Sequence, residues 1–367
     1  MLHRYPKRVL VLMLALLALM IAYPAWGPAV FGDSSAFFME KLTLMLIFSL
    51  FAVSLDLLVG ILGLVSLGHA LFFGIGAYTL AMASPDFSPA SMWWMLPLVM
   101  AVSGGVSVVV GLLVLRTKGI FFIMTTLAFG QMLFYYISTA SFTGGTDGVF
   151  IMFRPSLAIG SADGASPLIN LDDPLTFFYF CLTLLVVVYL FLRWLTRSHF
   201  GQVLDGIHDN EHRMQALGYA TTGYKLIAFV IAAMIAAVAG MLAAMQYGFA
   251  NPAQLGWHHS GEVLMMVILG GMGTIFGPIL GAFAYELLLY FYEHLTPHWP
   301  ILMGLTIILA VLVLPKGIAG LMLHPPRRSR ASGLKDTTLV ERLTPKAGDP
   351  STSPRPTAKS SPGRSSS

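Results

Sequence analysis

Charge-free stretches of about twenty residues recur along this chain, separated by short polar connections. They are too long and too uniformly apolar for the half-buried faces of a soluble fold, and they match the thickness of a bilayer core. Following the runs of Leu, Val, Ile, Met, Phe and Ala predicts ten crossings, at about 9–26, 40–59, 64–83, 92–115, 120–138, 174–195, 224–247, 262–273 with a broken extension to 278, 279–295 and 301–323. The eighth and ninth are short and interrupted by glycine, so the expected count is eight to ten. Nothing alternates apolar and polar over segments of about ten residues, as barrel strands do. The expected fold class is therefore an all-α polytopic membrane protein.

Composition agrees: 56% of the 367 residues are hydrophobic and 10% are charged, where soluble domains carry about 25% charged residues. Charge placement alters the picture more than its total. Of the net +4, the segment 325–367 carries +6, leaving −2 on the rest, so the basic balance belongs to a tail and does not point to nucleic acid. That tail is rich in Ser and Pro and has little to bury; the expected division is a membrane domain over 1–323 and a disordered basic tail over 324–367. With Arg4, Lys7 and Arg8 in the cytoplasm, ten crossings leave only Lys41 and Arg154 outside among 21 basic residues, as the positive-inside rule requires. Both termini are then cytoplasmic. A cleaved leader is the alternative for the first crossing, but no clear A-x-A site follows it. The single cysteine, Cys181, excludes an intrachain disulfide and a cysteine-based zinc site.

Four segments carry more than membrane helix. The first, 55–78, contains Gly60, Gly63, Gly68, Gly74 and Gly76, spaced for close helix approach or local unwinding, together with Ser66 and two ionisable residues at membrane depth, Asp56 and His69. Such residues are either functional or bound to neighbouring backbone: Asp56 as a cap on an adjoining helix, His69 on a carbonyl. The second, Thr143-Gly-Gly-Thr-Asp-Gly148, is an outer turn whose exposed amides would suit an anion or carboxylate, or serve only as a turn. No Lys follows it in the pattern of a nucleotide-binding P-loop.

The third is the longest inner loop, 197–219. On a helical wheel Val203, Ile207, Met214 and Leu217 share one face, while Asp205, His208, Asp209, His212 and Arg213 share the other; Asn210 interrupts the apolar stripe. A short cytoplasmic helix of this kind suits a groove on a soluble partner. The alternative, lying on the lipid surface, prefers basic residues on the polar face, and this one carries acids too. The fourth segment runs from Glu262 through Gly270, Gly271, Gly273, Gly277, Pro278 and Gly281. Its glycines four apart predict a ladder of close helix contact, and Pro278 predicts a break inside it. Phe73-Gly-Ile-Gly-Ala-Tyr78 is faintly echoed by Leu280-Gly-Ala-Phe-Ala-Tyr285, which five-plus-five inverted repeats would explain.

In this order the segments resemble the branched-chain amino acid ABC permeases. Ser66-Leu-Gly-His-Ala70 followed by Phe73-Gly-Ile-Gly-Ala-Tyr78 is similar to the family's SLGHAxFxGxGAY element. Arg197-Ser, Phe200-Gly201, Asp209-Asn210-Glu211 and Ala216-Leu217-Gly218 resemble its cytoplasmic loop. Gly270-Gly-Met-Gly-Thr274, Gly277-Pro278 and Gly281-Ala282 resemble its GGxGTxxGPxxGA element, and the outer turn is similar to that of the LivM-like subunit. Gln202, Gly206 and His208 depart from the pattern, which has Arg, Ala and Arg there.

The resemblance implies a non-catalytic permease in the bacterial inner membrane. It would pair with a second, homologous permease as a heterodimer, with two cytoplasmic ATPase subunits that use ATP and Mg, and with a periplasmic substrate-binding protein. The 197–219 loop would couple to the ATPases through Gly201, Asp205, Asp209, Asn210, Glu211, Ala216, Leu217 and Gly218. Asp56, His69, Glu262 and the glycines would line or pack the path. The chain itself shows no Walker motif, metal centre or covalent nucleophile, so no cofactor is expected on it. Other readings are a urea or short-amide permease, a self-sufficient secondary carrier, or a membrane enzyme built on His69 or the His208–His212 pair.

Overall fold

The computed structural model describes residues 7–85, 90–156, 171–314 and 316–323; the basic tail lies outside them. In chain order the helices are α1 (Lys7–Ile21), α2 (Tyr23–Phe31), α3 (Ser35–Asp56), α4 (Ala70–Ala83), α5 (Met92–Val114), α6 (Ile120–Thr139), α7 (Pro174–Arg197), α8 (His199–Ala216), α9 (Thr221–Tyr247), α10 (Trp257–Gly270), α11 (Gly277–Leu295), α12 (Trp299–Val313) and α13 (Gly317–Leu323). A two-residue ribbon pairs β1 (Val149–Phe150) with β2 (Phe249–Ala250) in antiparallel register.

Six helical stretches are long and apolar enough to cross a membrane: Ser35–Ile61, Met92–Val114, Ile120–Thr139, Pro174–Arg197, Thr221–Tyr247 and Trp299–Gly320. The fold is thus all-α and polytopic, but the expected count of eight to ten crossings is not reproduced on this criterion. The physical reason is that several apolar runs are not continuous helix. The run at 9–26 divides at Ala22 into α1 and α2. The run at 64–83 becomes helical only at Ala70, after α3 has widened into a π-type turn at Leu57–Ile61 and the chain has run non-helically through 62–69. The run at 262–278 is α10, of 14 residues, followed by a non-helical 271–276. Pro278 does not break a helix: it sits in the first turn of α11, where its missing N–H leaves no helical bond unmade. The last crossing is interrupted between α12 and α13.

Helices α3, α4 and α9 form the centre, with α5, α7, α10 and α11 around them. In lipid there is little hydrophobic drive between helices, so close backbone approach and buried hydrogen bonds carry the packing. Small residues on α9, among them Ala232, Ala233, Ala236 and Ala237, are fully buried. A methyl placed on Gly76 of α4 would collide with the Ala237 carbonyl, and one on Gly240 of α9 with the Phe73 carbonyl. The two backbones therefore touch at both crossings. Gly76→Ala or Gly240→Ala is expected to cost about 1–3 kcal/mol from overpacking and lower the melting temperature in detergent. Gly105→Ala, where nothing lies within 4 Å of the new methyl, is the matched substitution expected not to lower it, since Ala is the better helix former.

The outer helices keep apolar faces exposed. On α12, Ile301, Leu305, Ile308, Leu309 and Leu312 are all exposed, as lipid-facing or partner-facing positions would be. At the start of α7, Asp173 caps the helix by accepting from the Thr176 N–H (3.1 Å) and hydroxyl (2.7 Å). The Thr176 hydrogen bonds hold the Asp173 carboxyl below the usual carboxylate range.

The two ends of the bundle differ. One end carries the ribbon, which joins the turn after α6 to the exit of α9; there Gly148 lies against the Ala250 carbonyl so closely that any side chain would clash. The other end carries the α5–α6 turn, α8 and the start of α9, joined by ion pairs.

Candidate functional site

Three features stand out: a cavity near the ribbon, the break at 271–276, and α8 at the opposite end. The cavity measures about 380 Å³. Its walls come from separate pieces of chain: Phe73 of α4, Tyr247 at the end of α9, the stretch containing Phe249, Asn251 and Gln254, and the first turns of α10. Asn251 is held by a turn in which its side-chain oxygen accepts from the Ala253 N–H at 2.9 Å. That leaves the Asn251 amide NH₂ as the donor end. On α10, His259 Nδ1 pairs with Glu262 Oε2 at 3.0 Å, one helical turn away, and the His259 ring lies against Phe48, Phe51 and Phe73. His258, also on the wall, packs at a tilt against Trp257 with ring centres 3.8 Å apart. Two polar atoms of lining residues, Gln254 Oε1 and His259 Nε2, are buried and have no hydrogen-bond partner among the described residues.

Of the residues singled out from sequence, only Glu262 lines this cavity. Phe73, from the glycine-rich element, contributes the apolar floor. Asn251, Gln254, His258 and His259 were missed. A signal was present: Asn251-Pro-Ala-Gln-Leu-Gly-Trp-His-His259 is a concentrated polar stretch between two strongly apolar helices.

Asp56 is completely buried and is not among the residues lining the cavity. Its Oδ1 accepts from the Gly273 N–H at 2.7 Å and its Oδ2 from the Ile275 N–H at 3.1 Å. The carboxylate therefore satisfies two donors that the break leaves without helical partners. Gly271 and Gly273 take positive φ there (112° and 76°), and Ile275 does so as well (56°), a strained conformation for a β-branched residue. A methyl on Gly60 would strike both Asp56 and the Gly273 backbone.

The predicted ladder of Gly273, Gly277 and Gly281 is not one helix face. Gly273 lies in the break against Gly60, Gly277 faces Thr274 and the Gly270–Gly271 carbonyls, and Gly281 meets Met266 and Gly270. Gly270 in turn is pressed against the Gly277 carbonyl.

His69 differs from its sequence reading too. Its Nε2 lies 2.9 Å from the Ser54 hydroxyl rather than on a carbonyl. Ser54 gives its own proton to the Phe51 carbonyl at 2.6 Å, so Nε2 is the donor and His69 carries its hydrogen there. The ring stacks on Phe51. Beside it, Ala70 N–H donates to the Ser260 hydroxyl at 2.9 Å, fixing the start of α4 against α10. Gly68 abuts the Thr126 carbonyl, and Leu67 N–H donates to the Thr126 hydroxyl at 3.3 Å. The unwound stretch 62–69 is thereby anchored to α6. Ser66 is buried in it, its hydroxyl without a partner among the described residues, while Gly74 packs on Leu255.

At the opposite end, α8 bends at Asn210, whose backbone is extended (φ −161°, ψ 96°) and whose side chain caps the second piece through the Arg213 N–H at 3.0 Å. The residue that interrupts the apolar stripe thus ends one helix and starts another. Val203, Leu204 and Ile207 are buried in this protein's own body, so the first piece does not offer its apolar face to a partner as the wheel implied. Gly201 is pressed against Thr196 backbone, and His208 Nδ1 lies 2.9 Å from the Ile61 carbonyl at the end of the π-type turn after α3. Asp209, Asn210, His212, Arg213, Ala216 and Gly218 are exposed, as are Leu217 and Tyr219.

Glu211 ties this helix down. Its Oε1 accepts from Lys225 Nζ of α9 at 2.6 Å, and its Oε2 is 3.3 Å from Lys118 Nζ of the α5–α6 turn. Burial pushes the Glu211 carboxyl up, but the two lysines outweigh it and hold it below the usual range. Partial burial, by contrast, raises Asp205.

Residues 37–314 match the family described as "Branched-chain amino acid transport system / permease component". This chain belongs to that family. The match contains α3 to α12, and hence the cavity, the break and α8. The high-affinity branched-chain amino acid transport system permease protein LivM of Salmonella typhimurium is 32% identical over 284 residues, covering 73% of this chain and 66% of LivM. LivM of Escherichia coli K12 is 31% identical with the same coverage. LivH of Salmonella typhimurium is 25% identical over 292 residues, 74% of this chain and 91% of LivH. The matched stretch spans just under two thirds of the LivM chains. No solved structure matches.

Proposed function

We propose that this chain is a membrane-spanning permease subunit of an ABC importer that carries branched-chain amino acids into the cell. Family membership across α3–α12 is the observation that carries the reading. In it, the α8 end faces the cytoplasm and receives ATPase subunits on the exposed surface from Asp209 to Gly218, while the ribbon end faces a periplasmic binding protein. A second, homologous permease completes the pathway across exposed helix faces such as that of α12. ATP and Mg belong to the ATPase subunits, and this chain contributes no cofactor site. The buried first piece of α8 fits a rigid lever: force on Asp209–Gly218 passes through Val203 and Ile207 to the bundle and through Glu211 to α9.

The test is uptake of radiolabelled leucine, a polar amino acid and urea by proteoliposomes containing the chain with its partner subunits. ATP-dependent uptake of leucine in preference to the other two is the expected result. Preferred uptake of urea would move the cargo to the amide class. Uptake driven by an ion gradient without ATPase subunits would overturn the ABC reading.

A further inference from the structure

We infer that the cavity at the ribbon end is a zwitterion site, in which Glu262 receives the ammonium group of an amino-acid cargo on its way through the chain. The inference rests on the proposed function for the class of cargo and adds where, and by which groups, that cargo is held.

Glu262 is the acidic residue among the lining residues, and 40% of its side chain remains exposed although His259 occupies one of its oxygens. A carboxylate with a free oxygen in a site with apolar walls is matched by a cation carrying several N–H donors. An ammonium group is such a cation. His259 has its Nδ1 edge on Glu262 and its faces and edges among phenylalanines, so it fixes the rotamer of the carboxylate.

The opposite requirement, donors for a carboxylate, is met by Asn251 and His258. The Asn251 oxygen is committed to the Ala253 N–H, which leaves its NH₂ to donate. His258 lines the same cavity. Phe73, Phe249 and Ala253 line the cavity as well, a surface suited to an aliphatic side chain and without a partner for a second charged group. A volume of about 380 Å³ falls at the small end of the range for ligand sites, roughly 300–1,000 Å³. The unpartnered Gln254 Oε1 and His259 Nε2 belong to the same wall and are unusual as buried polar atoms, since most are hydrogen-bonded.

The complementarity also ranks ligands. A neutral amide such as urea brings no charge to Glu262. An acidic amino acid brings a second carboxylate into a site that already has one. An aliphatic amino acid satisfies both poles and the apolar wall together.

The experiment measures leucine binding directly, apart from the binding protein that would dominate uptake affinity. The permease core, purified with its partner subunits in nanodiscs, is titrated with radiolabelled leucine, as wild type and as Glu262→Gln. Leucinamide and 4-methylpentanoate, which lacks the ammonium, serve as competitors. Glu262→Gln is isosteric at a partly exposed position, and a melting temperature and size-exclusion profile matching wild type show that it is folded. The expected result is at least about a tenfold weaker affinity in the variant, the scale of one charge-assisted hydrogen bond. Leucinamide should compete and 4-methylpentanoate should not. Equal affinity of variant and wild type, or equal competition by 4-methylpentanoate, would overturn the site while leaving the permease reading intact. A wild-type complex that neither binds nor transports any amino acid would instead overturn the proposed function.

Discussion

Replacing Asp56 by Ala is expected to leave little folded protein. Both oxygens of the buried carboxylate are in use, on the Gly273 and Ile275 N–H groups. Its removal strands two donors at membrane depth, at a cost of about 1–3 kcal/mol each, and water cannot replace the lost oxygens there. The loss falls on a segment that already holds Ile275 at φ 56°, a strain of about 1–3 kcal/mol that surrounding contacts must offset. The effect should therefore approach the whole stability of this part of the fold. Asp56→Asn separates the chemistry from the size. It keeps one oxygen for one N–H but sets an NH₂ against the other, donor to donor, so its expected melting temperature lies between wild type and Ala. Asp56→Glu should fail for another reason: the space next to Asp56 is closed by Gly60, where not even a methyl fits. Expression level and fluorescence-detected size-exclusion melting read all three. A monodisperse Asp56→Ala protein with wild-type melting would show that the 271–276 break holds itself without the carboxylate.

That carboxylate also marks where sequence stops being informative. Hydropathy located the long helices well, because α3, α5, α6, α7 and α9 are runs in which any conformation other than helix would strand backbone groups in lipid. Local chemistry fixed some boundaries too, as at Asp173-Pro174, an N-cap followed by a first-turn proline. But hydropathy reports depth, not conformation. The stretch 62–69 is also largely apolar, yet it is non-helical, bonded to Thr126 through Leu67 while Ser260 holds the first residue of α4, both partners far away in sequence. Asp56 and Gly273 are 217 residues apart, so composition could point to an ionisable group at depth without naming its partner. The cavity was illegible for the same reason. Its walls come from α4, the exit of α9 and α10, and no periodicity within one segment brings them together. Asn210 is the reverse case: the interruption of the apolar stripe was visible in sequence, and only the cap it provides needed the structure.

The second large effect is expected at the other end of the molecule, from Glu211→Arg. Lys225 has only 9% of its side chain exposed and donates to Glu211 at 2.6 Å. Without the carboxylate its charge is left largely buried and unpaired, a loss on the order of 3 kcal/mol. An arginine there adds repulsion from both Lys225 and Lys118. Lys118, 61% exposed, contributes little on its own, because solvent screens such pairs. The second piece of α8 should detach from α9, so that the chain inserts but ATP hydrolysis no longer drives uptake. Normal uptake by the variant would rule out Glu211 as the link. The double exchange Glu211→Lys with Lys225→Glu tests the pair itself: it should melt above either single exchange, whereas simple additivity would show that the two residues act separately. The pH dependence follows from the lowered carboxyl of Glu211. A folded-state value below the unfolded one contributes stability that is complete above the ordinary Glu range and is lost only as pH falls through the lower folded value. Wild type should thus keep this link through neutral and mildly acidic pH, and Glu211→Gln should remove the corresponding acid-dependent part of its melting curve.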